Sequence, residues 1–218
     1  MDFEETFPLR YYLNLGRRED RRTELEWHLD DVGVTAERFP AVDARFCNNA
    51  RGYSSKGRYA LALTIRLAIR RAKQLKASSL LLLEDDVVLH PNFKNLISRI
   101  ELPSDWGIFY LGCQHQARPE PVNGSLVKVA RALDSHAWAI HEQAYDEVMQ
   151  VLDAFGKPAP SPSLASDQFV ATLQKNVPTY ACYPNLAWQA VNQSDLAGTI
   201  YSLYGKTGTQ RIHSQFIE

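Results

Sequence analysis

The chain has 218 residues, is 45% hydrophobic and 22% charged, and carries a formal net charge of -1. That composition belongs to an ordinary globular protein of one sizeable domain or two small ones. The balanced charge gives no bulk field toward nucleic acid or anionic membrane, and no apolar run approaches the ~20 residues of a membrane span.

Leu9 to Leu15 reads as a first strand, and Gly16 opens a turn into a charged helix over 17–31 with Leu25, Leu29 and Val32 on one face. Gly33 ends that helix. Arg38 to Val42 reads as a short second strand, weakened by Pro40. Arg58 to Lys76 carries Leu61, Ile65, Ala68, Ala72 and Leu75 at helical spacing, with Arg66, Arg70, Lys73 and Gln74 opposite. Leu80-Leu81-Leu82-Leu83 then reads as a strand buried on both faces, as in a parallel sheet. The first ninety residues therefore run β-α-β-α-β, which predicts parallel strands.

Pro91 suits the first turn of a helix reaching about Ile100. Trp106 to Gly112 reads as a buried strand and Gln114 to Gly124 as a polar loop. Val127 to Val129 and Ala137 to Ile140 read as strands, and Glu142 to Phe155 as a helix. The segment 156–163, with three prolines, reads as a loop rather than a domain boundary. Ser166 reads as the N-cap of a short helix carrying Phe169, Val170 and Leu173. Thr179 to Tyr183 is a last strand, and the tail from Asn185 has no clear pattern. One domain over 1–218 is expected, an α/β fold with a mixed, mostly parallel sheet flanked by helices.

Cys47, Cys113 and Cys182 lie far apart with no C-x-x-C spacing. That argues against a zinc knuckle or a disulfide framework and suits a reducing compartment. No apolar h-region follows the acidic start, so no signal peptide is expected. The expected location is cytoplasmic, or peripheral to a membrane.

The leucine strand runs straight into Glu84-Asp85-Asp86. Three adjacent carboxylates repel one another, and desolvating them is costly. Ligands of open α/β sheets bind at the carboxyl ends of the strands. Glu84 and Asp86 alternate to one side of an extended chain, so both could reach one hard divalent ion. A solvated turn is the plain alternative.

Five blocks, in order, resemble glycosyltransferase family 25, the lipopolysaccharide and collagen galactosyltransferase group with a GT-A-like (Rossmann-like) fold. They are Tyr12-Leu13-Asn14-Leu15-Gly16-Arg17-Arg18-Glu19-Asp20-Arg21-Arg22, Phe39-Pro40-Ala41-Val42-Asp43, Leu82-Leu83-Glu84-Asp85-Asp86, Asp105 to Gly112, and Pro184-Asn185-Leu186-Ala187-Trp188-Gln189 followed by Ser194-Asp195-Leu196. They span about residues 10 to 196. The chain departs from the family at Ala44, where the family has glycine, and at Thr64-Ile65, where it has a Ser-His pair.

The resemblance implies an inverting, metal-dependent transferase. It would move a hexose, galactose or glucose, from a UDP-sugar to a glycan, glycolipid or hydroxylated protein. A nucleotide-sugar half over about 7–112 and an acceptor half over about 113–218 follow from it. Glu84 and Asp86 would hold Mn2+ or Mg2+, whose hard character suits oxygen ligands. Asn14, Arg17, Arg21, Asp43, Asp85, Gln189, Ser194 and Asp195 would bind the donor. Asp195 or His213 could supply a further metal ligand. Asp167 would be the base that takes the acceptor proton. His136 and Trp138 could line the sugar pocket, with Trp138 better suited to a core.

Each role has a plainer counterpart. The arginines at 17, 18, 21 and 22 suit an exposed salt-bridged helix, Asp43 a turn, and Asp167 a first helical turn. A catalytically degenerate binder of nucleotide or glycan, and a metal-dependent phosphohydrolase, are the rival functions.

Overall fold

The computed structural model describes residues 1–153 and 165–190. Its elements are α1 (Phe3–Thr6), β1 (Leu9–Asn14), α2 (Glu19–Asp31), β2 (Glu37–Pro40), α3 (Lys56–Leu75), β3 (Ser79–Glu84), β4 (Val87–Leu89), α4 (Phe93–Ile97), β5 (Ile108–His115), β6 (Glu120–Asn123), β7 (Leu126–Lys128), β8 (Ala132–His141), α5 (Tyr145–Val151), α6 (Ser166–Ala171), β9 (Thr179–Cys182) and β10 (Ala187–Gln189).

Eight strands form one sheet in the order β2-β1-β3-β8-β5-β9-β7-β6. β1 pairs in parallel with β2 and β3, as the opening β-α-β-α-β pattern predicts. β8 enters antiparallel between β3 and β5. β9 runs parallel to β5, and β7 and β6 complete the far edge antiparallel. Followed across the sheet, only β8 and β7 oppose the other strands, so the sheet is mixed and mostly parallel. The sheet spans both predicted halves, and the boundary near residue 112 falls inside β5.

Helices cover both faces, which is why β3 tolerates no polar alternation. Leu80 and Leu82 join Ile65, Ala68 and Ile69 of α3, Val148 of α5 and Phe169 of α6. Leu81 and Leu83 face the other way, onto Phe3, Leu25 and Leu29, Phe93 and Ile97. Trp138 lies in the first of these cores, 1% exposed. Helix α3 is well defined at both ends. Ser55 accepts a hydrogen bond from the Arg58 amide at 3.2 Å, and Lys76 closes the helix in the left-handed conformation.

Several short elements depart from the sequence reading. The expected loop over 114–124 holds the end of β5 and all of β6. The polar sequence of β6 fits an exposed sheet edge. The helix expected over 142–155 is a tight turn at Glu142–Ala144 followed by α5, and the helix after Pro91 ends at Ile97. Ser166 is the first helical residue of α6 and is buried; Ala165 occupies the cap position.

The patternless tail contains β10, which pairs antiparallel with β4. Three main-chain bonds fix this return: Leu186 N to Leu111 O at 2.8 Å, His90 N to Leu186 O at 2.9 Å, and Ala190 N to Asp86 O at 2.7 Å. The close approach requires Gly112, where an added Cβ would fall 2.0 Å from the Ala187 carbonyl oxygen and 3.0 Å from His136 Nε2. Gly112→Ala should therefore push β10 off the sheet. The expected loss is about 1–3 kcal/mol of unfolding free energy in urea titration, the usual range for overpacking.

Candidate active site

The carboxyl ends of β1 and β3 lie side by side, with Leu13 opposite Glu84. This places Asn14 against the acidic triplet. Asn14 is 1% exposed. Its Nδ2 donates to Asp85 Oδ2 at 2.8 Å and to the Arg18 carbonyl at 2.9 Å, while its Oδ1 accepts from Arg38 Nε at 3.0 Å. Arg21 reaches the triplet from the first turn of α2. Its guanidinium donates to Asp85 Oδ1 at 2.9 Å and Asp86 Oδ2 at 3.4 Å. Arg21 is buried, unlike its neighbours: Arg18 pairs with Asp20 and Arg22 with Glu26 at the surface. The exposed-helix reading holds for those two and fails for Arg21. Position 21 lies four residues before Leu25 and eight before Leu29, on the apolar stripe, and a charge there needs a buried partner.

Asn14 and Arg21 thus hold Asp85 from behind. Glu84 and Asp86 are reached from another side, by Gln189 at the end of β10. Its Nε2 donates to Glu84 Oε2 at 3.5 Å. Pairing of β10 with β4 brings Gln189 opposite Val87. The long sequence separation hides this approach from any local pattern.

Burial holds the Glu84 carboxyl well above the usual range, and the charges of Asp86 and Asp85 add to it, followed by Asp134 and Asp167. Burial also raises Asp86, against the opposing pull of Arg21. Asp86 Oδ1 and Asp134 Oδ2 are buried with no hydrogen-bond partner among the described residues. The Asp86 oxygen, crowded by Glu84 and taken out of water, fits a hard divalent cation. No group of three or more His, Cys, Asp or Glu side chains poised to hold a metal occurs among the described residues. Ser194, Asp195 and His213 lie outside those residues.

A cavity of about 100 Å³ opens beside the triplet, lined by Leu13, Leu15, Arg17, Val42, Ala60, Thr64, Glu84 and Asp85 among others. Arg17 also contacts Asp43 at 3.3 Å. Asp43 bonds Arg45 Nη2 at 2.8 Å and caps the turn at Ala44–Phe46 through the Arg45 amide. The Arg45 contacts bring the Asp43 carboxyl down to about 2. The turn-forming role of Asp43 is present, at the rim of the cavity.

The positions of the family's Ser-His pair have separate fates. Thr64 lines the cavity, accepts from the Val42 amide at 2.9 Å and donates to the Ala60 carbonyl at 2.8 Å, tying the loop after β2 to α3. Ile65 is in the core, 1% exposed.

Asp167 stands in the first turn of α6. Its Oδ1 accepts from the Gln168 amide at 2.8 Å and its Oδ2 from the Asp134 amide at 3.2 Å. Asp134, at the start of β8, carries no signal in the sequence beyond its residue type. Its carboxyl is pushed up to about 6 by burial, with the charge of Asp167 adding. His136 is fully buried; Nε2 faces the Ala187 carbonyl at 3.3 Å, and burial brings the ring down to about 4, so it is neutral at pH 7. It supports the β10 return.

No protein-family model matches the chain. A glycosyltransferase 25 family member of Anopheles gambiae is 26% identical over 124 residues, which is 47% of this chain and 21% of that protein. The resemblance carried by the motifs thus has a counterpart in a curated protein of that family. The chain spans about a fifth of that relative's length. Among solved structures, a glycosyltransferase involved in glycosylation of the major capsid of PBCV-1 aligns with a TM-score of 0.47 and 16% identity, over 75% of this chain and 74% of that one. A mutant Drosophila β1,4-galactosyltransferase 7, complexed with manganese, UDP-Gal and xylobiose, aligns with a TM-score of 0.46 and 12% identity, over 89% of this chain and 76% of that one.

The Arg21 contact is open to a direct check. Arg21→Met keeps the apolar stem and leaves two buried carboxylates without their cation. The loss should be about 3–5 kcal/mol in urea unfolding at pH 8. Since the penalty belongs to the ionised carboxylates, and burial raises Asp86, it should shrink as pH falls.

Proposed function

We propose that the chain is an inverting hexosyltransferase that takes galactose or glucose from a UDP-sugar and passes it to a hydroxyl of a glycan, glycolipid or hydroxylated protein. The observation that carries this reading is the juxtaposition of the partly buried Glu84-Asp85-Asp86 triplet with the cavity between β1, the loop after β2 and α3. The family 25 resemblance supplies the sugar, nucleotide and acceptor classes.

Glu84 and Asp86 are the side chains proposed to hold Mn2+ or Mg2+. Bound there, the ion supplies Lewis-acid stabilisation of the leaving diphosphate. Asn14 and Arg21 act by fixing Asp85, so that the triplet presents one arrangement to the donor. Arg17 and Asp43 stand at the cavity rim, placed to meet the nucleoside. Gln189 closes the other side of Glu84. Asp167 takes the proton of the acceptor hydroxyl as that oxygen attacks the anomeric carbon. The new carbon–oxygen bond forms as the bond to the phosphate oxygen breaks, UDP leaves, and the configuration inverts. Ser194 and Asp195 remain donor-contact proposals from the resemblance alone. With Ile65 in the core, a histidine is not missing from the cavity wall at that position, which weakens the motive for a degenerate binder. The free thiols of all three cysteines suit the proposed reducing, cytoplasmic setting.

The test is a thermal-shift and UDP-release series with UDP-galactose and UDP-glucose, with and without Mn2+, on wild type and Asp86→Ala. A ligand at 100 times its Kd adds about 2.7 kcal/mol to stability. A metal-dependent shift with one donor, absent in the variant, and UDP release that rises with an acceptor are expected. An undiminished shift in folded Asp86→Ala would refute the metal assignment. Binding without release would favour the degenerate binder, and phosphoester turnover without sugar transfer the hydrolase.

A further inference from the structure

The start of β8 is fastened to α6 and the turn that follows it by a ladder of polar contacts. Arg131 Nη2 donates to Gln168 Oε1 at 3.0 Å. The Ala132 amide donates to Gln174 Oε1 at 2.8 Å, and Gln174 Nε2 returns to the Ala132 carbonyl at 3.0 Å and to the Tyr110 hydroxyl at 3.2 Å. The last rung is the Asp134 amide on Asp167 Oδ2 at 3.2 Å.

That rung depends on an unusual backbone. Asp134 has φ 67°, in the left-handed region that non-glycine residues seldom enter. The pairing of β8 with β5 slips at the same place, between Gly112 and Gln114. Such bulges turn one residue out of the ladder and re-aim its groups. Here the freed amide points across to α6 and not to β5. Asn, Asp and Gly tolerate this conformation, whereas a β-branched residue resists it.

We propose that Asp134 is a positioning residue for Asp167, acting through its main-chain N–H and the left-handed turn that aims it. The role rests on the reading of Asp167 as the base of the proposed transferase. Its consequence is that the bulge, more than the Asp134 carboxylate, fixes the orientation of the proton acceptor. A shift of about 1 Å in such a group can lower turnover about 100-fold.

Two measurements test it, one independent of activity. In 1H–15N spectra of Asp134→Asn, whose own side chain does not ionise, the residue 134 amide should titrate with the Asp167 carboxyl and lose that titration when Asp167→Asn is added. The titration should survive in Asp134→Gly and disappear in Asp134→Val. In transfer assays, Asp134→Gly and Asp134→Asn should keep kcat within about threefold, while Asp134→Val should lower kcat about 100-fold with KM for the donor little changed. Combined with Asp167→Asn, Asp134→Val should add no further loss. An amide that ignores Asp167, a kcat unaffected by Asp134→Val, or a loss in Asp134→Gly and Asp134→Asn as large as in Asp134→Val overturns the proposal. Absence of transfer by the wild-type chain would count against the transferase reading alone, because the amide titration does not depend on it.

Discussion

Three carboxylates at the end of a strand buried on both faces must be held apart from one another and from the core. Arg21 and Asn14 do this. One guanidinium bridges Asp85 and Asp86, and one amide locks Asp85 to the carboxyl end of β1. The arrangement joins α2, β1 and β3 at a single point. A buried charge that loses its partner is far more costly than an exposed one, so these elements are bound together more tightly than their apolar contacts alone would require.

The same constraint shapes the site. Arg21 and Asn14 satisfy Asp85 and part of Asp86, yet Glu84 and Asp86 Oδ1 remain in surroundings that disfavour ionisation. A fold optimised for stability alone would place apolar residues there. Carboxylates kept beside a cavity, at the strand ends where α/β sheets bind ligands, are the feature on which the proposed cation and phosphate site rests. β10 brings Gln189 against Glu84, and Gly112 is what lets it come so close.

Much of this was legible in the sequence. α2 and α3 follow from apolar residues at helical spacing, β1 and β3 from short apolar runs, and the acidic triplet announced itself by following four leucines. Arg21 was read as a donor contact or an exposed helix charge; its burial was signalled only by its place on the stripe of Leu25 and Leu29. What stayed hidden depends on long-range pairing or on a single dihedral angle. β4 and β10 are three residues each and exist because they pair with one another. β8 inserts between β3 and β5 although β5 precedes it in the chain. Asp134 is marked by its backbone conformation and by an amide aimed at α6, neither of which leaves a trace in residue type or spacing.

The central claim is that Glu84 and Asp86 form the cation-binding edge of a nucleotide site. Its most direct measurement is the electron paramagnetic resonance signal of free Mn2+ during titration with the protein in the presence of UDP, for wild type and Glu84→Gln. The account predicts that wild type withdraws Mn2+ from solution only when UDP is present, and that folded Glu84→Gln binds it about tenfold or more weakly. Equal Mn2+ uptake by the two proteins, or no uptake by wild type at any UDP concentration, would contradict it.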